Sequence, residues 1–77
     1  MSGKKMISVI APLPGKIINI KVQGGSEVKI NEPILILEAM KMQNEIVADL
    51  DGIVKEIKVK IGDVVYTGEE LVIIENI

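Results

Sequence analysis

The chain has no cysteine, histidine, phenylalanine or tryptophan, and its one aromatic residue is Tyr66. Without cysteine no disulfide framework is possible, and with histidine also missing the two commonest zinc ligands are gone. The same absences remove the most common catalytic nucleophile and the most common general base. The hydroxyls of Ser2, Ser8, Ser26, Thr67 and Tyr66 have no triad context, so neither catalytic residues nor metal ligands are assigned. A net charge of −2 and the lack of Phe or Trp leave neither a basic footprint nor a stacking platform, so no nucleic-acid partner is expected. No apolar run approaches the roughly 18–20 residues of a membrane span, so direct membrane insertion is not expected. Lys4 and Lys5 lack the long apolar stretch of a signal peptide, and a cytoplasmic setting is expected.

What remains is aliphatic. Apolar residues make up 48% of 77 residues, dominated by Ile, Val and Leu, enough for one small domain. We read residues 1–5 as a disordered lead-in and residues 6–77 as the folded unit.

The second half repeats the first. Met6 to Met40 can be laid over Gln43 to Ile77 without a gap, at a constant offset of 37 residues. Ala11-Pro12-Leu13-Pro14-Gly15 meets Ala48-Asp49-Leu50-Asp51-Gly52, and Ile20-Lys21-Val22 meets Ile57-Lys58-Val59. Gly25 meets Gly62, Val28 meets Val65, Glu32 meets Glu69, Ile36 meets Ile73 and Glu38 meets Glu75. Two copies in so short a chain predict one pseudo-symmetric unit, since solenoids generally need three or more repeats.

Apolar residues alternate over Ile18–Val22 and Val54–Val59, and turn formers separate the runs: Pro14-Gly15, Gly24-Gly25, Asn31-Glu32-Pro33, Asp51-Gly52, Gly62-Asp63 and Thr67-Gly68. The pattern predicts strands near 6–11, 16–22, 27–29, 34–38, 43–48, 53–59, 64–66 and 71–75, an all-β barrel or small sandwich. Gly15, Gly25, Gly52 and Gly62 are expected to supply turn conformations, and Gly15 and Gly52 to need positive φ. Asp49 and Asp51 read as turn residues rather than a metal site, and Pro33 as a strand entry. Glu38 to Glu45 is rich in helix formers. The repeat overrides that preference, because Gln43 to Ala48 shares its register with the β-branched Met6 to Ala11. Lys41 is therefore expected at the tip of a tight hairpin, in the junction between the repeats.

A domain this small has little surface from which to build a closed active site, so any chemistry it takes part in is expected to be borrowed from an attached group. A lysine on a hairpin tip suits such a group. It is protonated until a base or an enzyme removes a proton, and its long stem can be acylated without unfolding the domain. The alternative readings are a solvated surface lysine and methionines that cap the core.

Glu38-Ala39-Met40-Lys41-Met42 resembles the attachment motif of the biotinyl domains, the biotin carboxyl carriers. Ala11-Pro12-Leu13-Pro14-Gly15 is similar to that family's Ala-Pro-Met-Pro-Gly opening, with Leu13 in place of Met, and Asn44-Glu45-Ile46-Val47-Ala48 and Asp51-Gly52 with Val54 also match. The resemblance spans about residues 6 to 75. It implies a flattened eight-stranded barrel, a barrel-sandwich hybrid of two four-stranded antiparallel sheets related by a pseudo-two-fold axis. It implies biotin in amide linkage to Lys41, with Met40 and Met42 as flanking recognition residues and Ala39 and Glu38 completing the motif. The partners it implies are a biotin protein ligase and the biotin carboxylase and carboxyltransferase or decarboxylase subunits. Between their sites the biotin would swing as carboxybiotin, which makes the domain a carrier rather than an enzyme. Lipoyl domains of 2-oxo acid dehydrogenases are similar in fold, but their lysine usually lies in an Asp-Lys-Ala setting. An unmodified adaptor barrel is the further alternative. Only Gln23 to Glu27 join the second and third strands, so the chain resembles the thumbless members of decarboxylases, transcarboxylases and acyl-CoA carboxylases.

Overall fold

The computed structural model of the chain describes residues 4–76. Most of the lead-in expected over residues 1–5, namely residues 1–3, lies outside them, as does Ile77.

Eight strands form: β1 (Met6–Ile10), β2 (Gly15–Ile20), β3 (Glu27–Val28), β4 (Pro33–Ala39), β5 (Met42–Val47), β6 (Gly52–Ile57), β7 (Val64–Val65) and β8 (Glu70–Asn76). They are arranged in two antiparallel four-stranded sheets, ordered β1-β8-β6-β3 and β5-β4-β2-β7. No helix forms among the described residues, so none is long and apolar enough to cross a membrane. The all-β architecture and its two sheets follow the expectation closely. Pro33 opens β4, a position where its missing N–H costs no ladder bond.

The repeat is carried down to single hydrogen bonds. Ala11 N donates to Glu69 O and Ala48 N to Glu32 O, each at 2.9 Å. Gly25 N donates to Val54 O at 2.8 Å, and Gly62 N to Ile17 O at 2.7 Å. The turn glutamates are equivalent too, with Glu32 Oε1 accepting from Lys29 N and Glu69 Oε1 from Tyr66 N, both at 2.9 Å. These carboxylates, with Asp63 on Lys60 N and Asp51 on Ile30 N, satisfy turn amides as the turn reading requires. Even the irregularities repeat, because the bulge between Ile17 and Asn19 in β2 recurs between Val54 and Glu56 in β6.

Among the described residues, sixteen buried side chains form one contiguous cluster, eight from each half, and every one has its partner 37 positions away: Val9 with Ile46, Ala11 with Ala48, Ile17 with Val54, Val22 with Val59, Val28 with Val65, Ile34 with Leu71, Leu35 with Val72 and Leu37 with Ile74. Each large side chain among them contributes about 1.5–3 kcal/mol by leaving water. Neither half can bury its apolar face alone, so the two close on each other.

The glycines divide into two kinds. Gly25 (φ 92°) and Gly62 (φ 100°) have the left-handed turn conformations expected of them. Gly15 and Gly52 do not. They begin β2 and β6 with no positive φ, and a Cβ on Gly52 would lie 2.5 Å from the Glu75 carbonyl oxygen. A Cβ on Gly15 would run into the Glu38 carbonyl in the same way. These two positions exclude a side chain because another strand's backbone passes over them, not because of their φ.

Candidate functional site

β4 and β5 form a hairpin whose last pairs are Glu38 with Gln43 and Ala39 with Met42. Only Met40 and Lys41 remain to reverse the chain. Both have left-handed backbones, φ 54° and 63°, the pattern of a type I′ turn, whose twist matches the flanking strands. Such turns favour Asn-Gly. A non-glycine residue held in this region costs about 1–2 kcal/mol, a strain tolerated only where the surrounding structure enforces it.

The pleat then distributes the motif. Ala39 points inward and is 5% exposed, closing the core beneath the tip. Glu38 faces solvent on the outer side, in register with Lys16 of β2 and Gln43 of β5. Met40 is 88% exposed and Met42 64%, so neither caps the core. Lys41 is exposed between them. Among the described residues the ion pairs are Lys29–Glu27, Lys55–Glu75 and Lys58–Glu70, and Lys41 takes part in none. The tip thus presents an amine with two exposed apolar side chains beside it. An acyl chain added to its Nζ displaces no packed group and breaks no ion pair among the described residues, so the residues present fit such an attachment.

Two contributors to this geometry have roles that the sequence reading did not give them. Gly15, expected to need positive φ, instead lets β2 pass directly against the Glu38 carbonyl near the tip of the hairpin. Asn44, opposite Leu37, donates its carboxamide Nδ2 to Leu37 O and to Met42 O, each at 3.3 Å. The repeat carried a signal for it, since Asn44 lies over Ile7, a polar residue where the other copy has an apolar one.

The family model described as "Biotin-requiring enzyme" matches residues 7–74. Over 41 residues the chain is 61% identical to the methylmalonyl-CoA decarboxylase subunit gamma of Veillonella parvula, 53% of this chain and 32% of that one. Over 38 residues it is 58% identical to the biotin carboxyl carrier protein of Streptococcus mutans, 49% of this chain and 29% of that one. It therefore spans about a third of the length of the curated relatives it matches. Among solved structures, a single-chain, multi-domain long-chain acyl-CoA carboxylase matches with a TM-score of 0.89 and 26% identity, over 94% of this chain and 7% of that one. The lipoyl domain of the Azotobacter vinelandii 2-oxoglutarate dehydrogenase complex matches less closely, with a TM-score of 0.69 and 33% identity over 79% of this chain and 77% of that one. Fold, motif and family match agree: the chain belongs to the biotin/lipoyl attachment domains, on the side of the biotin carriers.

Proposed function

We propose that Lys41 is the residue to which biotin is joined, and that the chain is the carrier part of a biotin-dependent carboxylase or decarboxylase. The observation that carries this reading is the position of Lys41, exposed on a two-residue turn that the barrel's repeat does not require. A biotin protein ligase is the modifying partner. Lys41 would hold biotin through Nζ: once a base has taken the ammonium proton, the amine would displace the leaving group of an activated biotin carboxyl, which departs as the amide forms. Met40 and Met42 offer the ligase flexible apolar contacts on either side. Glu38 supplies the outer-face carboxylate, and Ala39 anchors the strand end in the core. Once bound, biotin supplies a ring nitrogen able to carry a carboxyl group. This chain's part is to hold the base of the arm fixed while the lysine stem gives it reach. Biotin carboxylase and carboxyltransferase or decarboxylase subunits in the cytoplasm are the sites between which such an arm swings. The relatives named for decarboxylase and carrier subunits support this assignment.

The test is mass spectrometry of the chain after co-expression with a biotin protein ligase. Wild type gains one biotinyl group and Lys41→Arg gains none. Modification by a lipoyl ligase but not a biotin ligase would return the chain to the 2-oxo acid dehydrogenase reading, and modification by neither to an adaptor role.

A further inference from the structure

Asn44 departs from its counterpart in the first copy of the repeat in a way that bears on the tip. Its Nδ2 donates across the hairpin to Leu37 O and along β5 to Met42 O, each at 3.3 Å. Both neighbours are carbonyl oxygens, so the amide nitrogen, and not its oxygen, must face them. The same register position in β1 is Ile7, half-buried like Asn44. The β1–β8 pair runs in the same register without such a bond, so the sheet itself does not need an asparagine there.

The bond falls where it is useful. Met42 immediately follows the two left-handed residues, and Leu37 lies on the opposite strand beneath them. A strained turn of non-glycine residues persists only if its flanks are fixed. We propose that Asn44 is a positioning residue, a clamp across the β4–β5 hairpin that holds Met40 and Lys41 in the left-handed conformation and so sets the direction in which the Lys41 stem leaves the barrel. The kinetic half of this inference rests on Lys41 being the acylated residue, whereas the conformational half does not.

Two variants separate the clamp from general stability. Asn44→Ile installs the residue that the first copy carries in the same register. Asn44→Asp keeps the size and removes the donor. Amide hydrogen exchange measured by NMR on the 77-residue chain is expected to speed up at residues 40–43 on the order of tenfold in both variants, with core amides such as those of Leu71 and Ile74 unchanged. The kcat/KM for biotin transfer by a biotin protein ligase is expected to fall by a similar factor. Exchange and transfer rates equal to wild type in both variants would overturn the clamp, as would acceleration spread evenly over tip and core. If Asn44→Ile does not fold, Asn44→Asp decides by the same readings. Should wild type take no biotin at all, the Lys41 assignment fails, and the exchange comparison still decides the clamp.

Discussion

The strand pair β4–β5 and its counterpart β8–β1 share one register and one bulge, yet they end differently. Ala39 and Met42 are joined by Met40 and Lys41 in the strained turn. Their equivalents 37 positions away are Asn76 and Lys5, which are held by hydrogen bonds instead: Asn76 N to Lys5 O at 3.0 Å and Lys5 N to Asn76 Oδ1 at 2.7 Å. The second pair shows that, among the described residues, the sheet ends there without any in the left-handed region. The Met-Lys turn is therefore not a requirement of the barrel. Its residues are free to be chosen for something outside the fold, at some cost in backbone strain.

The comparison can be broken most severely where the two halves are truly equivalent. Gly15 and Gly52 each lie under a carbonyl of the neighbouring strand, so a side chain at either displaces backbone. Gly52→Val is expected to lower stability by about 3 kcal/mol, and Gly15→Val by a similar amount. Gly62 has φ 100° but open space around its Cβ position, so Gly62→Ala should lose only about 1 kcal/mol. Urea unfolding with unchanged m-values measures all three. Equal losses at Gly52 and Gly62 would mean that conformation, and not close approach, governs both.

At the tip the expected effect is smaller and opposite in sign. Met40→Gly removes about 1–2 kcal/mol of left-handed strain and adds about 0.5–1 kcal/mol of chain entropy in the unfolded state. The net expectation is a gain of up to about 1.5 kcal/mol in the same unfolding experiment. The internal control is already present in the molecule, since the equivalent left-handed positions 31 and 68 hold Asn31 (φ 72°) and Gly68 (φ 88°), residues suited to that region. A loss of stability in Met40→Gly would show that Met40 packs usefully despite its exposure.

These contrasts also show what the sequence could carry. Strand identity was legible because β-branched residues alternate between turn formers. The hairpin around Lys41 was legible only through the repeat, since local preference over Glu38–Glu45 favours a helix. The offset implied the pairing of core residues, because symmetric positions share one environment. The role of Gly15 and Gly52 was misjudged, since nothing local records that another strand's carbonyl lies above them. A positive φ and a close approach both select glycine, and only the packed structure separates them. Asn44 was passed over for a related reason: a polar residue at a half-buried position acquires meaning only when its partners, Leu37 O and Met42 O, are in place.

The smallest effect comes from a network that one half has and the other lacks. Ser8 Oγ donates to Glu70 Oε2 at 2.7 Å, and Lys58 Nζ meets Glu70 Oε1 at 3.1 Å. The equivalent positions are Glu45, Pro33 and Lys21, which cannot reproduce it. The hydrogen bond from Ser8, then that from Lys58 and its charge, hold the Glu70 carboxyl below its ordinary value of 4.5. The hydrogen bond to Glu70, its charge and that of Glu56 hold Lys58 above its ordinary 10.5. A carboxyl whose pKa is lower in the folded state stabilises above its unfolded pKa and loses that contribution as pH falls through the folded one. A lysine whose pKa is raised stabilises below its unfolded pKa and loses that contribution as pH rises through the folded one. The network thus favours the fold between the acid range of Glu70 and the alkaline range of Lys58. Because the groups are exposed, the effect should be slight and should fade as salt is added. In Glu70→Gln, thermal unfolding followed from pH 7 down through pH 4 should show a shallower acid decline than wild type at low ionic strength, with the two curves converging in high salt. Parallel curves at both salt concentrations would mean that the contacts of Ser8 and Lys58 with Glu70 leave the folded carboxyl no different from the unfolded one.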